Sequence, residues 1–142
     1  MTNMFTAKNL HLILSSLIIL IVAFTYGLFP GRSIHFLLGF NSADINLKQV
    51  FRANMGLYLG ITALWITGIL QTKLWFSATL TSMVFFGGLA LGRLIGILTD
   101  GIPAAHFWIG MLVECILFVW AIVNLRKYHF TSFNKNPPPG AR

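Results

Sequence analysis

The sequence predicts an all-α membrane protein: an antiparallel four-helix transmembrane bundle with an external 20-residue loop between its first and second spanning helices. Three observations carry that expectation. The chain is 56% hydrophobic and only 9% charged, whereas a soluble domain carries about 25% charged residues. Four apolar runs reach the length of about 20 residues that a helix needs to cross a bilayer. The basic residues sit mostly at the ends of those runs, where membrane topology puts them.

The first run, "LHLILSSLIILIVAFTYGLF" at residues 10–29, carries no formal charge. It is too long for the core of a signal peptide and lacks a small-residue cleavage site, so it reads as a retained anchor. The second span covers about residues 50–70, the third about 74–98 and the fourth about 104–125. "QTK" joins the second and third, and "TDGIP" joins the third and fourth. Such short links make neighbouring helices antiparallel. Each span must be helical, because only helices and closed barrels satisfy their backbone in lipid, and runs this long do not suit barrel strands.

Residues 30–49, "PGRSIHFLLGFNSADINLKQ", form the external loop, which is long for a compact bundle. Its apolar "IHFLLGF" is expected to lie on the interface or over the bundle mouth. Residues 1–130 make one transmembrane domain, and the polar, Pro-rich residues 131–142 make a cytoplasmic tail whose composition suits disorder.

Several function classes are excluded. The net charge of +7 does not form an aromatic-interleaved basic patch, so nucleic acid is not an expected partner. Cys115 is the single cysteine, which rules out an intrachain disulfide, a CxxC pair and a cysteine zinc site. There is no HExxH, phosphate loop or serine–histidine–acid set. No two histidines face each other at mid-membrane depth, since His11 is alone on the inner side. Asp44, Asp100 and Glu114 are too few and too dispersed for a carboxylate metal site. No catalytic residue, metal or cofactor is therefore expected.

The informative feature is Glu114, a carboxylate inside "FWIGMLVECILFVWAIV". It lies about 15 Å from the outer end of its span, near the midplane, and Arg93 lies about 7–8 Å deep from the same side. Arg52 and Asn54 fall in the first turn or so of the second span, with Asp100 and His106 at the same mouth. The intramembrane polarity thus gathers in the outer half and leaves the inner half close to dry. A charge at mid-membrane costs about 2.5 to more than 10 kcal/mol unpaired, so Glu114 is expected to pair with Arg93 or with the competing Arg52. Such a pair either pins helix register or belongs to an outward pocket of Arg52, Asn54, Arg93 and Glu114. Two arginines against one carboxylate would make that pocket prefer an anionic guest.

The glycines form a second pattern. Gly56 and Gly60 make one GxxxG, and Gly88, Gly92 and Gly96 make a double one. Small residues at this spacing let helix backbones approach, so the second and third spans are expected to pack tightly there.

The stretches "TYGLFP", "NLKQVFRANMGLYLG" and "GGLALGRLIGILTDGIP", followed by the span containing "VE", resemble the bacterial integral-membrane family of unknown function 4345 over about residues 10–126. That resemblance implies a small four-span bundle. It places Arg52, Asn54, Gly56, Gly60, Arg93, Asp100, Gly101, Pro103 and Glu114 on motif positions and implies no activity. A looser similarity links the chain to small four-span proteins of the DoxX type, whose redox links rely on cysteines or partners that this chain lacks.

Two functions are consistent with these readings. One is a non-catalytic accessory or assembly subunit, or a homo-oligomer, acting through helix contacts. The other is a small-molecule or lipid-anion binding protein using the outward pocket. A proton-coupled transporter carried by Glu114 is a third, opposed by the dry inner half.

With four spans, both termini share one side. That side holds Lys8, Lys73, Arg126, Lys127, Lys135 and Arg142, against Arg32 and Lys48 in the opposite loop. The excess predicts cytoplasmic termini in a bacterial inner membrane. Residues 30–49 and 99–103 should be external, and 71–73 cytoplasmic. Cysteine labelling of intact cells checks this: Asp44→Cys should label and Lys73→Cys should not, and the reverse pattern would refute the orientation.

Overall fold

The computed structural model describes residues 6–40 and 44–130. Residues 131–142, the expected tail, lie outside the described residues. Helix α1 spans Ala7–Gly27, α2 Pro30–Leu38, α3 Ile45–Leu70, α4 Trp75–Asp100 and α5 Ala105–Leu125. The described residues contain no strand. Four helices are long and apolar enough to cross a membrane: Ala7–Gly27, Ile45–Leu70, Thr72–Asp100 and Ala105–Tyr128.

The expected irregular loop at 30–49 is corrected in two ways. Pro30–Leu38 is helical. Proline stands at its start with φ already set for a helix. Gly39 closes it in the left-handed region at φ 77°, with its N–H donating to the His35 carbonyl at 3.0 Å. In addition, α3 begins at Ile45 rather than near Val50. The Asp44 carboxylate caps it, accepting the N–H groups of Asn46 at 2.7 Å and Leu47 at 3.2 Å. Hydropathy alone misses these polar opening turns because they continue the helix past its apolar stretch. The Ser33 hydroxyl donates to the Thr25 carbonyl and, at 3.2 Å, to the Phe29 carbonyl, which ties α2 to the end of α1.

Helix α1 packs mainly against α3, and α4 mainly against α5. Contact between α3 and α4 joins the two pairs, and the α1–α5 contact is thinner. On α1 the buried positions His11, Ser15, Ile19, Ala23 and Gly27 recur every fourth residue and form one stripe. The core centres on Trp65, whose ring meets Phe85 at 5.5 Å edge-on and Phe86 at 5.5 Å.

Within the chain, the glycines of the GxxxG repeats do not bring the second and third spans together. A Cβ added at Gly56, Gly60, Gly88 or Gly92 would meet nothing within 4 Å, and one at Gly96 would meet only the Asp100 carboxylate at 3.9 Å. The tight glycines are others. A Cβ at Gly68 would overlap the Ala78 methyl, one at Gly27 the Met55 side chain, and one at Gly87 would come within 2.8 Å of the Phe118 ring.

Helix approach at Gly68 thus depends on the missing methyl. Gly68→Ala should lower stability by about 1–3 kcal/mol, the usual cost of overpacking. Gly60→Ala and Gly88→Ala should leave it unchanged or raise it by up to about 1 kcal/mol through helix propensity. Thermal unfolding in detergent separates the two groups.

Candidate functional site

Arg93 on α4 and Glu114 on α5 meet, and Arg52 does not join them. The Arg93 Nε donates to both carboxylate oxygens of Glu114, each at 2.9 Å. The glutamate is buried. Depth made this contact feasible, and Gly110, one turn from Glu114 on α5, lies beside the guanidinium. A Cβ at Gly110 would stand 3.6 Å from the Arg93 Nη2. The guanidinium also lies 5.6 Å from the centre of the Phe107 ring, within range of a cation–π attraction.

Arg93 stands between two cavities. One, of about 330 Å³, is lined by Arg93, Asp100, Pro103, Phe107 and Trp108 among others, where α4 turns into α5. The second, of about 270 Å³, lies among α1, α3, α4 and α5. Its walls are mostly apolar, from Ile18, Val22, Phe86, Leu89 and Val113, and Leu37 of α2 also lines it. Its polar lining is Tyr26, Tyr58, Arg93, His106 and Glu114. The two tyrosine rings adjoin at 6.3 Å. With both oxygens of Glu114 taken by Nε, no hydrogen bond from a described residue reaches the two terminal nitrogens of Arg93. A guanidinium carries five N–H donors, so the donors unspent on Glu114 are the site's principal chemical resource.

The expected residues therefore divide. Arg93 and Glu114 form the pair, Asp100 lines the first cavity and His106 the second. Arg52 lines a third cavity with Arg32 and Lys48. Asn54 is half-buried on α3 and lines none of the three. Tyr26, Phe107 and Gly110 belong to the site and were not singled out by sequence. Their signal was weak, since an interfacial tyrosine and an isolated glycine are ordinary in membrane helices.

The expectation of a dry inner half is also corrected. His11, Ser15, Ser16, Thr62, Thr79 and Ser82 are buried. His11 Nε2 lies 3.0 Å from the Leu117 carbonyl, less than one turn along α5 from Glu114. The Asn124 amide approaches the Lys8 carbonyl at 3.4 Å. Hydrophobicity averaged along a span hides such residues because serine and threonine carry no charge.

The pair makes a sharp energetic expectation. Glu114→Leu or Arg93→Leu alone should destabilise by about 3–5 kcal/mol, while the double replacement should cost much less. Arg52→Leu should stay within about 0.5 kcal/mol, as a surface change does. Thermal melts of the four variants check this, and an unaffected Glu114→Leu protein would contradict the pairing.

No curated protein and no solved structure matches the chain. The family described as a domain of unknown function (DUF4345) matches residues 7–125, which is most of the chain and includes all four spans up to Leu125, so the protein belongs to that family.

Proposed function

We propose that the protein is a non-catalytic membrane binding protein, and that it takes a neutral, largely apolar molecule bearing a carbonyl or hydroxyl acceptor into the cavity beside Arg93 and Glu114. One observation carries this reading. A guanidinium inside the spanning region gives one N–H to its carboxylate and faces cavities with its remaining donors. Arg93 is only partly buried, so these donors are open to a guest from the cavities, and a donor held away from water inside a membrane gains from an acceptor. The anionic guest expected from two arginines no longer fits this cavity, because Arg52 lies elsewhere and the Arg93–Glu114 pair is neutral in sum. Apolar walls with a few convergent polar groups are the ordinary make-up of a small-molecule site. The volume of about 270 Å³ suits a compact molecule or the head of a longer one. In this reading the protein sits in the bacterial inner membrane with cytoplasmic termini, and Glu114 orients Arg93.

A second reading has its own support. Gly56, Gly60, Gly88 and Gly92 leave open space on α3 and α4, and the third span is the least buried of the four. Such faces suit close approach by another transmembrane helix, as an accessory subunit or homo-oligomer would require.

Native mass spectrometry of the gently extracted protein tests both. A bound neutral molecule should accompany the wild type and be lost from Ile18→Trp, which fills the cavity without touching the ion pair. A wild type with nothing bound, or a variant that retains the molecule, would defeat the binding reading. A wild type found only as a lone single copy would defeat the second.

A further inference from the structure

We propose that the third cavity, which brings together Arg32, Lys48 and Arg52, is a binding site for the phosphate group of an anionic phospholipid. It is separate from the Arg93 cavity and shares no residue with it. The cavity measures about 330 Å³. Lys48 and Arg52 stand four apart on one face of α3, and Arg32 comes from the first turn of α2. No acidic residue lines it. The three acids among the described residues are otherwise engaged or elsewhere: Glu114 holds Arg93, Asp44 caps α3, and Asp100 lines the first cavity. None of the three cations makes a salt bridge to a described residue; Arg32 is engaged only with the Phe29 ring, at 5.5 Å.

Like charges four apart on a helix repel. A third cation brought to the same cavity adds to that repulsion, and a tetrahedral phosphate relieves it by accepting from all three. Arginine binds phosphate through a planar fork and lysine as a point charge.

The surroundings select a lipid over a free ion. Leu28 and Phe29 line the cavity and are 54% and 63% exposed, and Phe36 on the outer face of α2 is 81% exposed. The opposite face of α2 is packed through Ser33 and Ile34. A helix presenting bare apolar side chains outward beside a spanning bundle belongs at the boundary of headgroups and acyl chains. The cations therefore stand at phosphate level, with apolar side chains next to them where acyl chains run. Inorganic phosphate would use the cations and leave the apolar rim unused.

The test is a lipid titration of the purified full-length protein, read by native mass spectrometry, with phosphatidylglycerol, phosphatidylcholine and inorganic phosphate as separate probes. Phosphatidylglycerol should bind in preference to phosphatidylcholine, and millimolar inorganic phosphate should not displace it. Each basic side chain near an anionic surface is worth about fivefold in affinity, so Arg32→Gln, Lys48→Gln and Arg52→Gln together should weaken binding by about a hundredfold. A charge-matched control, Lys73→Gln with Arg126→Gln and Lys127→Gln, should leave it unchanged. The melting temperature of each variant reports whether the fold survives. If the triple variant does not fold, the single Lys48→Gln protein, with its fivefold loss, takes its place. Equal binding of the two lipids, equal losses in the variant and its control, or displacement by inorganic phosphate would each overturn the proposal.

Discussion

A carboxylate does not remain ionised among hydrocarbon chains without a cation at its side, and the packing of α4 against α5 is arranged around meeting that requirement for Glu114. Three α5 positions one turn apart face α4. Gly110 lies beside the terminal nitrogens of Arg93, Glu114 accepts from its Nε, and Phe118 fills the notch at Gly87. The seam joins a steric fit to an electrostatic one, so sliding either helix by a residue would lose both together. Breaking a buried pair costs more than never having had one. This asymmetry lets a single acidic residue help fix the register of two helices, beside the fit of Phe118 against Gly87.

The same pair determines what the rest of the bundle can offer. Because Arg93 reaches Glu114 across the α4–α5 seam, it stands between the space at the turn into α5 and the space near α1. Arg52, on α3 and nearer the rim, is left with Arg32 and Lys48. The arginines thus occupy two chemically different places: one paired to Glu114 beside mostly apolar walls, the other in an open, strongly cationic cavity. An uncompensated cation is tolerable only where water or headgroups reach it, and Arg32, Lys48 and Arg52 line an open cavity rather than the apolar interior.

How much of this was legible in the sequence depends on which property each residue reports. The four spans were legible because hydropathy integrates over about 20 residues and noise averages out. The Arg93–Glu114 contact was legible because depth follows from a fixed rise per residue. Depth leaves the azimuth of a side chain undetermined, however, and for that reason Arg52 remained a rival partner. Helix α2 carried its own punctuation, Pro30 at one end and Gly39 at the other, but its apolar "IHFLLGF" read equally well as a loop lying on the interface. The cavities were not legible at all, since a void is set by where helices part, and no local pattern encodes that.

The glycines show the same division. A GxxxG repeat says that a helix has a smooth face and does not say what lies against it. In this bundle the close approaches fall elsewhere: Gly27, Gly68 and Gly87 admit Met55, Ala78 and Phe118, and the small residues Ser15, Ala23, Ser82 and Ala121 are buried. The rule that small residues mediate helix contact in membranes holds, at Gly27, Gly68 and Gly87 rather than at the GxxxG positions, with small serines and alanines buried beside them. That choice also explains the polar half nearer the chain termini. A serine is small enough to pack like alanine, and burying its hydroxyl costs far less than burying a charge. The half of the bundle nearer the chain termini can therefore be tightly packed and polar at once, while Arg93 and Glu114 lie in the other half, beside cavities.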